Sequence, residues 1–253
     1  IGKTLKYRGD KMKEEIVYYA YRNTESQPHG FLHGQEPRSA KQEFVRTLEY
    51  ADRVKFLRCP AFLDKMENVF SVSSLFDFNV SVKDSQIFTE GKNGHDQDFF
   101  NNCVTTHSPE DKLYGLKQNA IFIAESDSLE MSQEHPFLAD TDWTRDVYTV
   151  PGKLDIGKYF RMLECAWFIR KGVKKLSLNE GDPFYYARFH TQKTIKLVPF
   201  YWSPAFENLV MNMRSLGPDT HKWKPLKFYY DVVKKKNIKK LIMKEIKNNL
   251  MEG

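Results

Sequence analysis

The stretch that decides the fold is LDIGKYFRMLECAWFIRKGVKKLSLNEGDPFYYARFHTQKTIKLVPFYW, residues 154–202. It has the densest set of β-branched and aromatic residues, which is typical of strands that pack on a pleated surface. Residues 184–190 and 195–201 are its two best strands, and the sequence at 179–183 is a strong turn. The stretch therefore predicts three or four antiparallel strands joined by tight turns, and the most plausible core of the protein.

Upstream of this stretch the sequence predicts further strands. Residues 15–21 form a β-rich run, residues 69–82 alternate as a hairpin or a long bent strand, and residues 116–124 are typical of a buried strand. Residues 125–144 are acidic and predict a long surface loop, which is a common place for function. Residues 1–13 have no periodicity and predict a polar N-terminal arm.

One convincing helix is predicted outside the strands, over residues 39–52. Ser39 followed by Gln42 three positions later fits a capping box, in which side chains satisfy the free N–H groups of the first turn. Its apolar residues recur at helical spacing and are Phe44, Val45, Leu48 and Ala51. We expect this stripe to be a core face. Pro60 is expected to begin a further short helix.

Helical patterns return at the C-terminal side of the chain. Ser203 or Pro204 begins a helix, and residues 227–250 are helical in two pieces that separate near Asn237. We therefore expect two parts, a β-rich domain with its N-terminal arm over residues 1–202 and a helical extension with a lysine-rich tail over residues 203–253.

The positive charge of the chain is concentrated in this tail. Residues 231–251 hold seven lysines against Asp231 and Glu245, which leaves a net charge near zero for the rest of a chain with net charge +6. The seven are Lys234, Lys235, Lys236, Lys239, Lys240, Lys244 and Lys247. Three interpretations stay open: a helix packed on the body with solvated lysines, a helix for a partner's groove, or a surface for nucleic acid or anionic lipid.

No motif in the sequence names a reaction. A phosphate-binding loop, a dinucleotide fingerprint, a Gly-x-Ser-x-Gly elbow and a His-Glu-x-x-His motif are all absent. Arg188 and His190 lie on one face of a predicted strand, with Asp182 in the turn before it, and could form an acid–base site. In a cupin-like barrel, His190 would be the metal ligand to test. An ordinary solvent-facing strand explains the same residues, and no cofactor is predicted.

Length and composition set wider limits. The 253 residues fit one large domain or two modest ones, and a hydrophobic fraction of 41% is enough for a sizeable core. Cys59, Cys103 and Cys165 are sparse and widely spaced, which favours a reducing compartment over a disulfide framework. Because no run of 18 apolar residues occurs, the sequence predicts no membrane-spanning helix.

Residues 176–200 also carry a family resemblance. They combine Leu-Ser-Leu-Asn-Glu-Gly-Asp-Pro-Phe-Tyr-Tyr-Ala-Arg-Phe with Ile-Lys-Leu-Val-Pro-Phe, and Arg-Cys-Pro-Ala-Phe at 58–62 and His-Pro-Phe at 135–137 fit the same pattern. Over residues 58–200 the chain resembles uncharacterised β-rich proteins of large tailed bacteriophages. The resemblance implies a viral protein with a β-sandwich body. Its motifs are structural, so it carries over no catalytic residue.

Together these observations predict an α+β fold: mainly an antiparallel β-sandwich or open barrel, with a peripheral helix and a C-terminal helical extension. The expected function is non-catalytic. The protein would be a virion component or assembly factor, in the virion or host cytoplasm, that contacts other viral or host proteins or forms a homo-oligomer. A metal-dependent enzyme with a cupin-like site and a nucleic-acid-binding accessory protein are the alternatives.

Overall fold

The structure is a computed structural model that describes residues 14–21, 36–74, 77–83, 86–89, 104–117, 121–214 and 225–251. The strands are β1 Glu14–Tyr21, β2 Arg38–Ser39, β3 Val69–Ser73, β4 Phe78–Lys83, β5 Gln86–Thr89, β6 Val104–Ser108, β7 Leu113–Lys117, β8 Phe122–Ala124, β9 Glu130–Glu134, β10 Val147–Thr149, β11 Gly152–Asp155, β12 Glu164–Ile169, β13 Lys175–Leu178, β14 Pro183–Phe189 and β15 Thr194–Tyr201. The helices are α1 Ala40–Thr47, α2 Tyr50–Leu57, α3 Pro60–Lys65, α4 Asp142–Asp146, α5 Pro204–Arg214, α6 Leu226–Lys235 and α7 Ile238–Asn248. The predicted arm at residues 1–13 and Cys103 lie outside the described residues.

These elements confirm the α+β class with mainly antiparallel sheets. The four sheets have the strand orders β15-β1-β8, β10-β12-β7-β6, β11-β9-β14-β3-β2 and β13-β4-β5, and we name them the β1, β12, β14 and β4 sheets. Within the described part of the chain, β1–β15 is the one parallel pairing and no sheet closes into a barrel. All four sheets contribute side chains to one main hydrophobic core.

The strands predicted in the stretch 154–202 form, but they do not pair with one another as predicted. β12 pairs with β7 and β10, β13 with β4, β14 with β3 and β9, and β15 with β1. Each turn between them carries the chain into another sheet. Alternation of apolar residues predicts which side chains are buried but not which strand is the neighbour, so the antiparallel meander was wrong while the strands were right.

Two further predictions, for residues 69–82 and 125–144, are wrong. Residues 69–82 form β3 and β4, which lie in different sheets and therefore do not form a hairpin. The acidic segment at 125–144 is not one long loop, because it contains β9 between β11 and β14, and the start of α4. Met131 of β9 and Trp143 of α4 are buried in the main core, so a few apolar residues outweigh the many acids around them.

The helix predicted over residues 39–52 is two helices, α1 and α2, with a break at Leu48. Its start was right, because the Ser39 side chain accepts a hydrogen bond from the Gln42 N–H. Pro60 begins α3 as expected. The predicted core face was wrong: Ala40 is the only residue of these three helices that is buried.

A second core lies between the β1 sheet and helices α5–α7. Val17 and Tyr19 of β1 point into the main core, whereas Tyr18 and Ala20 point into the second one. The second core takes these helical residues: Phe206, Val210, Met213, Tyr229, Val233, Ile238, Ile242 and Ile246. The helical extension therefore packs on the body of its own chain, while the predicted division into two parts at residue 202 stays a prediction.

Candidate functional site

A polar network joins β9 and β14 to the end of α3. Arg188 Nε donates to Glu134 Oε1 over 2.8 Å, and Arg188 Nη1 donates to the Lys65 main-chain carbonyl over 2.6 Å. The side chains of Arg188 and Glu134 are 11% and 23% exposed, so solvent screens this ion pair only weakly. Burial raises the pKa of the Glu134 carboxyl, but the hydrogen bond and charge of Arg188 outweigh it and hold that pKa below its usual value.

The network continues from Glu134 to His190 through a serine. Ser132 Oγ donates to Glu134 Oε1 over 3.0 Å, and His190 Nε2 lies 3.0 Å from Ser132 Oγ. Because the single hydroxyl proton points to the ionised Glu134, His190 Nε2 must be the donor to Ser132. In a nucleophilic site the histidine would instead accept the serine proton. In this network His190 therefore donates to Ser132, and Ser132 and Arg188 both donate to the carboxylate of Glu134.

The structure brings together two of the three residues of the predicted polar site. Arg188 and His190 share the network, whereas Asp182 accepts from the main-chain and side-chain N–H groups of Asn179 and closes a turn. Asp182 lies in the turn before β14, six positions before Arg188. Across the described ranges, no group of three or more His, Cys, Asp or Glu side chains is placed to hold a metal ion.

This network has an architectural role that the sequence did not reveal. Arg188 reaches the carbonyl at the C-terminal end of α3, where the helix dipole favours a positive charge. Nearby, Ala40, Met66, Val69 and Tyr186 form a small hydrophobic cluster. The network and the cluster together hold helices α1–α3 on the β14 sheet.

Two of the seven lysines of the tail bind the acidic turn that follows β8. Lys239 Nζ donates to the Ser126 carbonyl and lies 3.4 Å from Asp127, and Lys247 Nζ lies 3.2 Å from Glu125. Burial lowers the pKa of the Lys239 ammonium, and the negative charge of Asp127 offsets part of that effect. The start of the acidic segment and the lysine-rich tail are therefore in contact, through these two lysines.

The remaining five lysines are exposed, and none has an ion pair with a residue that the structure describes. We call them the lysine row, and they are Lys234, Lys235, Lys236, Lys240 and Lys244. Lys240 and Lys244 lie one turn apart on α7, and Lys234–Lys236 lie at the C-terminal end of α6.

The outer side of α2 is a second exposed surface. Tyr50, Val54 and Leu57 recur at i, i+4 and i+7 and form what we call the outer stripe, in which Val54 is half-buried between two exposed residues. Tyr50 is 82% exposed and Leu57 is 46% exposed, and no residue of α2 is buried. This spacing is visible in the sequence, but the predicted stripe from Phe44 to Ala51 runs across the break at Leu48 and therefore misses it.

The inner side of α2 is held by aromatic rings. Phe56 packs against Phe44 of α1 and Phe62 of α3, with ring centroids 5.2 and 5.1 Å apart. Contacts of this kind stabilise by about 0.5–1.5 kcal/mol each beyond the area that they bury. The three helices therefore keep one another in place and leave the outer stripe facing solvent.

Comparisons with protein-family models, with curated proteins and with solved structures find no match. None of the helices in the described ranges combines the length and the apolar character needed to cross a bilayer. The outer stripe and the lysine row are therefore the two surfaces of the described residues that are open to a partner.

Proposed function

We propose that the protein is a non-catalytic assembly component, and that its outer stripe on α2 packs against α2 of a second copy of the chain. The exposure of Tyr50 and Leu57 on a helix that buries nothing carries this proposal. A helix in water needs an apolar contact to be stable, because short helices are marginal by themselves. Phe56 supplies part of this contact within the chain, and a second copy would supply the rest at the outer stripe.

The charges along α2 favour a second copy as the partner. Glu49 and Asp52 lie at its start, and Lys55 and Arg58 lie at its end, while Arg53 between them donates to the main-chain carbonyls that precede the helix. When two copies of α2 pack antiparallel about a two-fold axis, the acidic start of each lies beside the basic end of the other. The ion pair of Asp52 with Lys55 within one chain is 3.0 Å long but exposed, so its exchange for intermolecular pairs costs little.

The setting of this assembly comes from the resemblance to tailed-bacteriophage proteins. In that setting the protein acts in the virion or in the host cytoplasm, and other viral or host proteins are further partners. The resemblance supports the setting, whereas the outer stripe supports the mode of contact, so the two parts of the proposal can fail separately.

A dilution series tests the contact. Sedimentation equilibrium of the full chain should show a monomer–dimer equilibrium, and Tyr50→Ser/Leu57→Ser should weaken the dimer about tenfold or more. Met211→Ser/Leu241→Ser is the matched control, because it removes apolar side chains of 45% and 53% exposure from other helices. A wild-type chain that stays monomeric at all concentrations would overturn the proposal, and so would a control that weakens the dimer equally.

Charge reversal tests the antiparallel geometry. Glu49→Lys/Asp52→Lys leaves α2 and its caps with basic residues only, and Lys55→Glu/Arg58→Glu leaves Arg53 as the one basic residue among four acids, so each variant should dimerise less than the wild type. An equimolar mixture of the two variants should form a heterodimer, because each start then meets an end of opposite charge. If the mixture stays monomeric while the wild type dimerises, the α2–α2 contact is wrong.

A further inference from the structure

The lysine row is the most concentrated free charge in the described part of the chain. The two acids of the tail do not neutralise it: Asp231 pairs with Lys227 at 3.1 Å, and Glu245 accepts from Ser203 Oγ at 2.7 Å. Lys240 and Lys244 project from the exposed side of α7, opposite the buried Ile242. The row is therefore an exposed basic patch on a body whose net charge is otherwise near zero.

The apolar side of α7 packs on the β1 sheet of the same chain, and this limits which partners the lysine row can bind. Ile238, Ile242 and Ile246 are 8%, 0% and 0% exposed because they pack on the β1 sheet. An interfacial membrane helix and a helix bound in a partner's groove both need that apolar side to be free. A partner of the lysine row must therefore be recognised mainly by charge, since Leu241 is the one exposed aliphatic side chain between its lysines.

We propose that the lysine row binds the phosphate backbone of double-stranded nucleic acid without reading its sequence. Lysine contacts a phosphate as a point charge, and five such contacts supply affinity but no base recognition. The residues between the lysines are mainly aliphatic and include no exposed aromatic ring on which single-stranded bases could stack. Duplexes are favoured over single strands because their phosphates are more densely spaced.

Fluorescence anisotropy of a labelled 20-base-pair DNA duplex tests this site with the full chain. Binding should weaken steeply with salt, with a slope of log K against log salt concentration of about −4 for four to five phosphate contacts. Lys240→Gln/Lys244→Gln should lower the affinity roughly tenfold and make the slope shallower by about 1.8, since two contacts are lost. A single-stranded 20-mer should bind more weakly than the duplex.

Lys171→Gln/Lys174→Gln is the matched control, because both side chains are exposed and the net charge changes equally. It should leave affinity and slope unchanged. Equal losses in the two variants would overturn the site and assign binding to net charge. Binding that does not depend on salt, tighter binding of the single strand, or binding of phosphatidylserine vesicles without binding of the duplex would overturn the proposal as well. Circular dichroism melts of both variants should match that of the wild type.

Discussion

Helices α5–α7 and helices α1–α3 each cover a face of a sheet, but they contribute very different amounts to the core. Eight residues of α5–α7 are buried, whereas α1–α3 bury Ala40 alone. Helices α5–α7 expose lysine side chains and bury isoleucine side chains. The second set exposes Tyr50 and Leu57 and is held by a charged network and a few rings.

The difference shows what an amphipathic stripe does and does not predict. On both sets the stripe indicates a side that needs an apolar contact. On α7 the β1 sheet of the same chain meets that need, which makes the helix part of the fold. On α2 the ring of Phe56 meets it on the inner side only, whereas Tyr50 and Leu57 stay exposed, and the outer stripe becomes a candidate contact surface.

The largest expected effect is a loss of stability from a substitution in the second core. Ile242→Ala should lower the free energy of unfolding by about 3 kcal/mol, since Ile242 is fully buried. Leu57→Ala on α2 should lower it by less than about 1 kcal/mol, because the side chain is 46% exposed. Urea unfolding of dilute monomer measures both, and similar losses would remove the contrast between the two sets of helices.

A smaller effect is expected where helices α1–α3 are anchored. Arg188→Met should lower the free energy of unfolding by about 2 kcal/mol, because it leaves the partly buried Glu134 without its cation. Hydrogen exchange should become faster in α1–α3 and stay unchanged in α5–α7. Arg145→Met, which removes an exposed arginine paired with Asp140, should change neither quantity. Faster exchange in both sets would show that they unfold together.

The smallest expected effect concerns acid, at the contact between the body and α6. Burial raises the pKa of Asp155, but hydrogen bonds from Lys158, Ser128 and the Leu129 N–H outweigh it, so that pKa lies below its usual value. The unfolded chain therefore takes up the proton first, and stability present above pH 4 is lost as the pH falls further. Asp155→Asn should cost about 1 kcal/mol at neutral pH and flatten this acid-dependent loss. Urea titrations of the wild type and the variant at pH 7 and pH 3 measure both effects. If the free energy of unfolding falls equally in the two proteins between these pH values, the acid-dependent loss does not come from Asp155.

Local features of the fold could be predicted from the sequence. Ser39 begins a helix because its side chain satisfies a free N–H, and Pro60 begins another because it has no N–H to satisfy. The strands of the stretch 154–202 were placed correctly from their composition. Each of these predictions depends on residues within a few positions of one another.

Pairings between distant residues could not be predicted in this way. Arg188 binds the main-chain carbonyl of Lys65, 123 positions away. Because every residue has a main-chain carbonyl, the sequence does not show which one accepts this hydrogen bond. Likewise, the link between Lys239 and the carbonyl of Ser126 spans 113 positions. For the same reason, the sequence placed Arg188 and His190 on one strand but could not show that Ser132 and Glu134 of β9 lie beside them.

The parallel pair of β1 and β15 has a consequence for the order of folding. At the end where both strands begin, Glu15 forms an ion pair with Lys193, which lies 178 positions away in the sequence. Closing so long a loop is slow, because the entropy is lost before the strand contacts form. During synthesis β1 leaves the ribosome long before β15 has been made. Until then the apolar side chains of Val17 and Tyr19 lack the strand that pairs with β1 along its whole length. We expect pulse-labelled hydrogen exchange to show β1 protected late, and the growing chain to need a chaperone until then.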